Sequence, residues 1–375
     1  VKRAALLRGM SALVCAPPLL GAAPVSYAAG AFVLFAPVRL AALSARAADP
    51  AARKTIAAAD KALEREPDPL PRVHTEHTLP SDPERIRSLA AERDFVALRD
   101  LGLAFRITGE ERYATAAQRY LHAWLAVYHP DFNPIDETRF DDFIAGYDLV
   151  RDRLGEADRV AMRALLRDFA TGYLDPSKGP NKGDVRVNNW NSHRVKLIAL
   201  SAFGLGDPQL VRRAQDAFVR QLDVNVRADG SVLDFPERDA LHYVVYDLEP
   251  LAYAALAAKE HGLDWYALRN SARVGLPEAL AWLRPYADGV KTHEEYAHSR
   301  VAFDAERRAA GERGFSGPFD PAQARELYAL ATALDPTWRA TSERLGAPDP
   351  WLALGFSHAL PVTTVPFTSG PERIV

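Results

Sequence analysis

An all-α chain of paired helices in a single domain is predicted by three observations. Apolar residues recur at spacings of three and four through nearly every segment after Asp49. Strand-like alternation is sparse. Helix-start and helix-stop residues follow one another closely, so the connections are short. Roughly ten or more helices fit this pattern, and no strict sequence repeat is visible. Stacked helical hairpins of this kind either close into an α/α toroid or stay open as a solenoid. Periodicity alone leaves both open. The 375 residues, 48% hydrophobic and 25% charged, have an ordinary globular composition.

The first residues stand apart. Lys2, Arg3 and Arg8 precede an uncharged run from Ser11 to Val38, and Ala45-Arg46-Ala47 is a small-x-small site. This predicts an export signal over residues 1–47, cut near Ala47, and a periplasmic or secreted protein with no stable membrane insertion afterwards. A retained anchor is the alternative, because the run is long enough to span a bilayer. Pro17, Pro18, Pro24 and Pro37 weigh against a continuous helix there. Residues 48–375 then make the folded domain.

Within it, Glu111 to Tyr128 places Tyr113, Ala117, Tyr120, Leu121, Trp124 and Tyr128 along one helical face. Arg139 to Leu154 does so with Phe140, Phe143, Tyr147 and Val150. Glu156 to Leu174 carries Val160, Leu165, Phe169 and Tyr173. Asp207-Pro208 opens a helix to Val226, and Asp320-Pro321 opens another to about Leu334. Ala240 to His261 is a long apolar run closed by Gly262. Gly230 to Phe235 reads as a short extended piece, and the tail from Phe356 to Val375 as irregular. Pro71 to Arg85 and Asp175 to Val187 are polar loops of the kind that carry sites. Lys291 to Gly317 is charged and helical in pattern, without an evident role.

The net charge is −3 and the pI about 6.4. With no basic stripe, nucleic acid is not an expected partner. Cys15 is the single cysteine, so no intrachain disulfide can form. No Cys cluster or close His pair points to structural zinc, and no metal or cofactor is expected. The chain is read as a monomer.

Two segments carry the chemistry. Asn188-Asn189-Trp190-Asn191-Ser192-His193-Arg194 opens an apolar helix. Glu237-Arg238-Asp239-Ala240-Leu241-His242-Tyr243-Val244-Val245-Tyr246 opens another. Together they offer amides, imidazoles, a guanidinium and phenols, which core packing does not require in concert. Such a set suits β-elimination of a 4-linked uronate. The C5 proton is barely acidic beside a charged carboxylate, so that charge must be masked and the enolate-like intermediate stabilised. Amide, His and Arg donors do this. A base takes the C5 proton and an acid protonates O4. Where both lie on one face of the sugar, one group serves twice, and a tyrosine near a cation suits that task. His242 and Tyr246 share a helical face at i, i+4.

Four segments then resemble the alginate lyase superfamily of α/α-toroid polysaccharide lyases, both mannuronate-cleaving and glucuronan-cleaving. His74-Thr75-Glu76-His77-Thr78-Leu79-Pro80 is similar to its His-Thr-Glu-Gly-Thr-Leu-Pro loop. Asn133 to Thr138 with Phe143 to Leu149 is similar to its third segment. The Asn/His stretch matches its Asn-Asn-His region, and Tyr243 to Leu251 its Tyr-x-x-Tyr-x-Leu-x-Pro-Leu helix. The resemblance implies an (α/α) toroid that cleaves an anionic uronic-acid polysaccharide. It implies Tyr246 as the proton-transfer residue, with Asn191, His193 and Arg238 around the carboxylate. Asn189, Trp190, His74, Glu76, His77, Arg139, His242, Tyr243 and Lys182 are the expected substrate contacts. Two departures stand out. Ser192 separates Asn191 from His193, which makes Asn189 a rival amide. Asp239 holds the place seven before Tyr246 where that family branch has Arg, and Arg238 is one earlier.

β-Mannuronate and β-glucuronate differ at C2 alone, so one geometry serves both and the substrate stays open between them. Guluronate, inverted at C5, would need a separate base opposite Tyr246, such as His193. Two other readings remain. One is a glycoside hydrolase on a similar toroid, using two of Asp142, Asp234 and Glu237. The other is a non-catalytic polysaccharide-binding protein.

Overall fold

The computed structural model describes residues 31–180 and 183–357. Most of the expected export signal, with Cys15, lies outside the described residues, as do Lys182 and the tail beyond residue 357. Sixteen α-helices are described. The first eight are α1 (Pro37–Leu43), α2 (Pro50–Leu63), α3 (Pro83–Ala91), α4 (Arg93–Thr108), α5 (Glu111–Val127), α6 (Phe140–Val150), α7 (Glu156–Leu174) and α8 (Asn189–Leu205). The rest are α9 (Pro208–Asn225), α10 (Asp234–Arg238), α11 (Leu241–Glu260), α12 (Leu276–Ala287), α13 (Ala302–Ala309), α14 (Arg325–Leu334), α15 (Arg339–Leu345) and α16 (Pro350–Phe356). Extended pairing among the described residues is confined to two isolated bridges, Val226–Val232 and Glu294–Pro318. The extended piece expected over 230–235 therefore shrinks to one bridge at Val232, and α10 begins directly after it.

Asp-Pro starts do what the sequence predicts. Asp49, Asp82 and Asp207 each accept a hydrogen bond from a first-turn amide ahead of a proline. At Asp320-Pro321 the same chemistry first makes a 3₁₀ turn, Pro321–Ala324, before α14.

Helices α4, α6, α8, α11 and α14 pack in succession, with α5, α7, α9 and α12 against their outer side. The inner members are apolar nearly all round: in α8 every residue from Ser192 to Leu205 is buried. Outer α9 buries one stripe that includes Leu210, Ala214, Phe218 and Leu222. The short α16 packs on both α14 and α2, and α2 packs on α4. That contact joins the two ends of the array, so the helices form an α/α toroid and not an open solenoid. Glycine permits the tightest crossing: a Cβ on Gly146 of α6 would stand 2.5 Å from Leu98 Cγ of α4.

The packed body begins upstream of residue 48. Val33, Leu34 and Phe35 are fully buried. Their amides donate to the Asp148 carboxylate at the end of α6, at 3.0, 2.8 and 2.6 Å. Phe32 stacks on His261 with centroids 4.2 Å apart, and Arg39 pairs with Glu260 at 2.5 Å. The domain boundary expected at residue 47 thus falls inside packed structure. No helix among the described residues is long and apolar enough to cross a membrane.

Candidate active site

Residues of α4, α6, α8, α11, α14 and α16 surround one cavity of about 360 Å³, lined by Thr138, Arg139, His193, Lys196, Tyr246 and Glu249 among others.

His193 and Tyr246 meet here. Their ring centroids are 4.2 Å apart at an interplanar angle of 45°. His193 Nδ1 is 2.6 Å from Thr138 Oγ1, and His193 Nε2 has no hydrogen-bond partner. Lys196 stands behind them, one turn along α8. Its Nζ donates to Thr138 O (2.8 Å), to Thr138 Oγ1 (3.0 Å) and to Asp141 Oδ2 (2.6 Å). Burial, together with the Lys196 charge, holds the His193 imidazole well below its ordinary range, so it is neutral near pH 7. Burial pushes the Tyr246 phenol up, Tyr243 adds to this, and Arg307 opposes it. Glu249, one turn beyond Tyr246, is raised to about 7 by burial against the opposing charge of Lys196.

Tyr243 links this pair to two arginines. Its ring lies edge-on to Tyr246, with centroids 6.0 Å apart. Arg238 Cζ sits 3.9 Å over the Tyr243 ring, and Arg307 Nη1 donates to the Tyr243 hydroxyl at 3.2 Å. The two cations are differently balanced. Arg238 faces two carboxyl groups, Asp304 at 2.5 Å and Asp234 at 3.7 Å. Arg307 shares a single carboxylate, Glu312, with a second cation, Arg85, each at 2.6 Å. Arg238 therefore reaches Tyr243, with its charge already met. The surplus positive charge lies with Arg307, in the 291–317 segment that had no role in the sequence.

The asparagines are placed by helical phase. Asn191 is two positions from His193, so it points to the other side of α8. There its amide donates to Gln221 at 2.6 Å and its oxygen accepts from Arg194 at 2.9 Å. Asn191 does not line the Tyr246 cavity. Asn189, at i−4, does share the His193 face, but its amide is held by Asp234 at 2.5 Å. Asn188 caps α8 by accepting from the Trp190 amide, and Trp190 is half-buried at that first turn.

The other expected contacts are dispersed. His242 lies parallel to Tyr246, with centroids 6.4 Å apart, and its Nδ1 is 2.8 Å from Gln323. Arg139 is exposed at the cavity edge. In the 71–85 loop, Asp136 accepts the Thr75 and Glu76 amides, each at 2.7 Å, and meets His74 Nδ1 at 3.1 Å. His77 adopts φ 52, the left-handed region, at the position where the similar loop has Gly, and its ring stacks on Phe303 at 4.1 Å. That stack and the Arg85–Glu312 pair tie the loop to segment 291–317.

Sequence reasoning missed Lys196, Thr138 as the partner of His193, and Arg307. Lys196 was legible: Asn189, His193 and Lys196 fall at i, i+4, i+7. Arg307 was not, because no local pattern says that segment 291–317 folds back over α11.

An all-α toroid that brings a tyrosine, a histidine and cations into one cavity has a polysaccharide-lyase architecture. The alginate lyase family model matches residues 43–293, two thirds of the sequence, and the chain belongs to the alginate lyase family. The chain is 23% identical over 190 residues to an exo-oligoalginate lyase of Saccharophagus degradans, covering 44% of this chain and 25% of that one. It thus spans a quarter of the length of that relative. Among solved structures, an alginate lyase from Bacteroides ovatus superposes with TM-score 0.66 at 17% identity, over 87% of this chain and 99% of its own. Alginate lyase A1-III from Sphingomonas species A1 does so with TM-score 0.54 at 19% identity, over 87% and 92%. At these identities the likeness is one of fold.

Proposed function

We propose that the protein cleaves a 4-linked polyuronate, alginate (polymannuronate) or glucuronan, by β-elimination, leaving 4,5-unsaturated uronate ends. The observation that carries this reading is the meeting of Tyr246 and His193 in a cavity backed by Lys196 and edged by Arg139. The neutral His193 accepts from Thr138 at Nδ1, which leaves Nε2–H as a donor to the sugar carboxylate and to the enolate that forms from it. Arg139 adds positive charge, whereas the charge of Lys196 is met by Asp141 at 2.6 Å. Asn189 is spent on Asp234 and Asn191 faces away, so Arg139 and the imidazole replace the amide in masking the carboxylate.

Tyr246 first gives up its phenolic proton to solvent; as the phenolate it takes the C5 proton, and the phenol so formed gives a proton to O4. The C5–H bond breaks, its electron pair forms the C4–C5 alkene, and O4 departs with the C4–O4 electron pair and the proton. No cofactor enters this step. Burial, Tyr243, Glu249 and Glu92 oppose forming the phenolate, and the Arg307 charge favours it, so Arg307 is part of the machinery. Export to the periplasm or medium, and action as a monomer, belong to this proposal.

Incubation with polymannuronate, polyguluronate and glucuronan, followed by the ultraviolet absorbance of the conjugated alkene, tests it. Absorbance rising on polymannuronate or glucuronan is expected. Shortened chains without alkene would favour hydrolysis. The carboxyl groups that the sequence singled out for hydrolysis do not share one space, although Asp141, Glu249, Glu326 and Asp349 line the cavity beside Asp142. Asp142 lines the cavity in an ion pair with Arg99, whereas Asp234 is enclosed by Asn189 and Arg238.

A further inference from the structure

A second cleft, of about 560 Å³, runs between α2 and α4, and Arg139 lines both it and the Tyr246 cavity. Its walls carry Lys54 and Lys61 from α2, Arg65 just past the end of α2 and Arg93 from α4, while Asp100 is the one carboxyl in its lining. Arg65 is paired with Asp94 at 2.8 Å. Lys54, Lys61, Arg93 and Arg139 have no carboxylate partner among the described residues, and all four are exposed.

Lys54, Ala58 and Lys61 fall at i, i+4 and i+7, one stripe along α2, and Arg65 follows just past its end. Lys54 and Lys61 are thus about 10 Å apart along the helix. Between them the floor is small and apolar, from Ala58 and, across the cleft, Ala97. An extended diequatorial 1,4-linked uronate chain has matching features: flat C–H faces, and carboxylates that return to one edge every second sugar. No aromatic side chain lines the cleft, so nothing is present to stack nucleobases.

We propose that this cleft is a distal binding groove for the polyuronate, holding sugars beyond the cleavage cavity with Lys54, Lys61 and Arg93 along its edges and Arg139 at the junction. It rests on the lyase reading for its ligand. It makes the enzyme prefer long chains over short ones, through ion pairs that salt weakens.

The test is the Lys54→Glu/Lys61→Glu double variant, assayed on long polymannuronate and on a mannuronate trisaccharide. The KM for the polymer should rise roughly tenfold, with kcat little altered, as expected for lost charge pairing at an exposed edge. The rise should shrink at high salt and be much smaller on the trisaccharide. Arg212→Glu/Arg213→Glu, on exposed α9 positions, controls for net charge. An equal rise on both substrates, or none on the polymer, overturns the groove. A reading independent of turnover is retardation in gels containing polymannuronate, in the Tyr246→Phe background, where the double variant should migrate freely. Retardation that depends on Lys54 and Lys61, when the parent protein with Tyr246 intact forms no alkene, would keep the groove and remove the lyase assignment. Lysine-dependent binding to anionic phospholipid vesicles, without retardation by polymer, would also overturn the groove.

Discussion

The His193 imidazole stands 4.2 Å from the Tyr246 ring, centroid to centroid, although the two belong to different helices of the toroid. The imidazole is neutral and oriented by Thr138, the phenol is protonated at rest, and Lys196 lies behind both. In the proposed reaction this pair moves one proton beside a masked carboxylate.

Tyr246→Phe should remove the proton carrier and little else. Alkene formation on polymannuronate is expected to fall by about 10³-fold or more. Polymer affinity in gels should stay within a few-fold of the parent. Substantial residual turnover would take Tyr246 out of the reaction.

Arg238 and Arg307 should separate into scaffold and electrostatics. Arg238→Gln leaves Asp304 and Asp234 without their cation in a buried setting, at a cost of about 3 kcal/mol in thermal or denaturant unfolding. Arg307→Gln should melt near the parent, because Glu312 keeps Arg85 at 2.6 Å. Its effect belongs in the pH profile. Arg307 opposes the upward push on Tyr246 from burial, Tyr243, Glu249 and Glu92, so its loss should move the rising limb of kcat/KM, along which the phenolate forms, to higher pH. A limb that stays in place would deny Arg307 this role.

His77 holds a backbone conformation that favours glycine, φ 52. His77→Gly should therefore be more stable than His77→Ala by about 1 kcal/mol, since both lose the Phe303 stack and Gly alone escapes the left-handed penalty. Equal melting of the two variants would show that the loop relaxes.

Glu92 is buried, its Oε2 lacks a partner, and burial raises it from 4.5 to about 8 against the opposing charge of Arg139. Between those values the unfolded chain is ionised while the folded chain keeps its proton. The unfolded state thus binds fewer protons, and stability falls as pH rises through the window. Glu92→Gln should gain on the parent from about pH 5 to about pH 8, by on the order of 2 kcal/mol or more, with the two curves meeting near pH 4. Parallel unfolding curves across that range would refute the buried acid.

The helices were the legible part. The stripe through Tyr113, Tyr120 and Trp124 and the Asp-Pro starts carry their own local physics, and α5, α9 and α11 end within a few residues of expectation. Ring closure was not legible, because it depends on the seven residues of α16 touching α2 and α14 across the chain. At the site, residue type was a good guide and direction a poor one. Asn191 looked apt beside His193 in the sequence, yet a helix turns 200° in two residues and sends it to Gln221. Arg238 was close in sequence to Tyr246, but Asp304, far along the chain, claims it.

The clasp of Val33, Leu34 and Phe35 on Asp148, with Arg39 on Glu260, grips the tails of α6 and α11. Tyr246 lies towards the other end of α11, and Thr138 and Arg139 directly precede α6. A recombinant chain started at residue 48 would strand a fully enclosed carboxylate without its three amide donors, a loss of several kcal/mol by the usual reckoning for buried charge. Such a trimmed protein would forfeit turnover through slackened helices while every reacting side chain was still present, and its poor performance would be misread as a defect of chemistry.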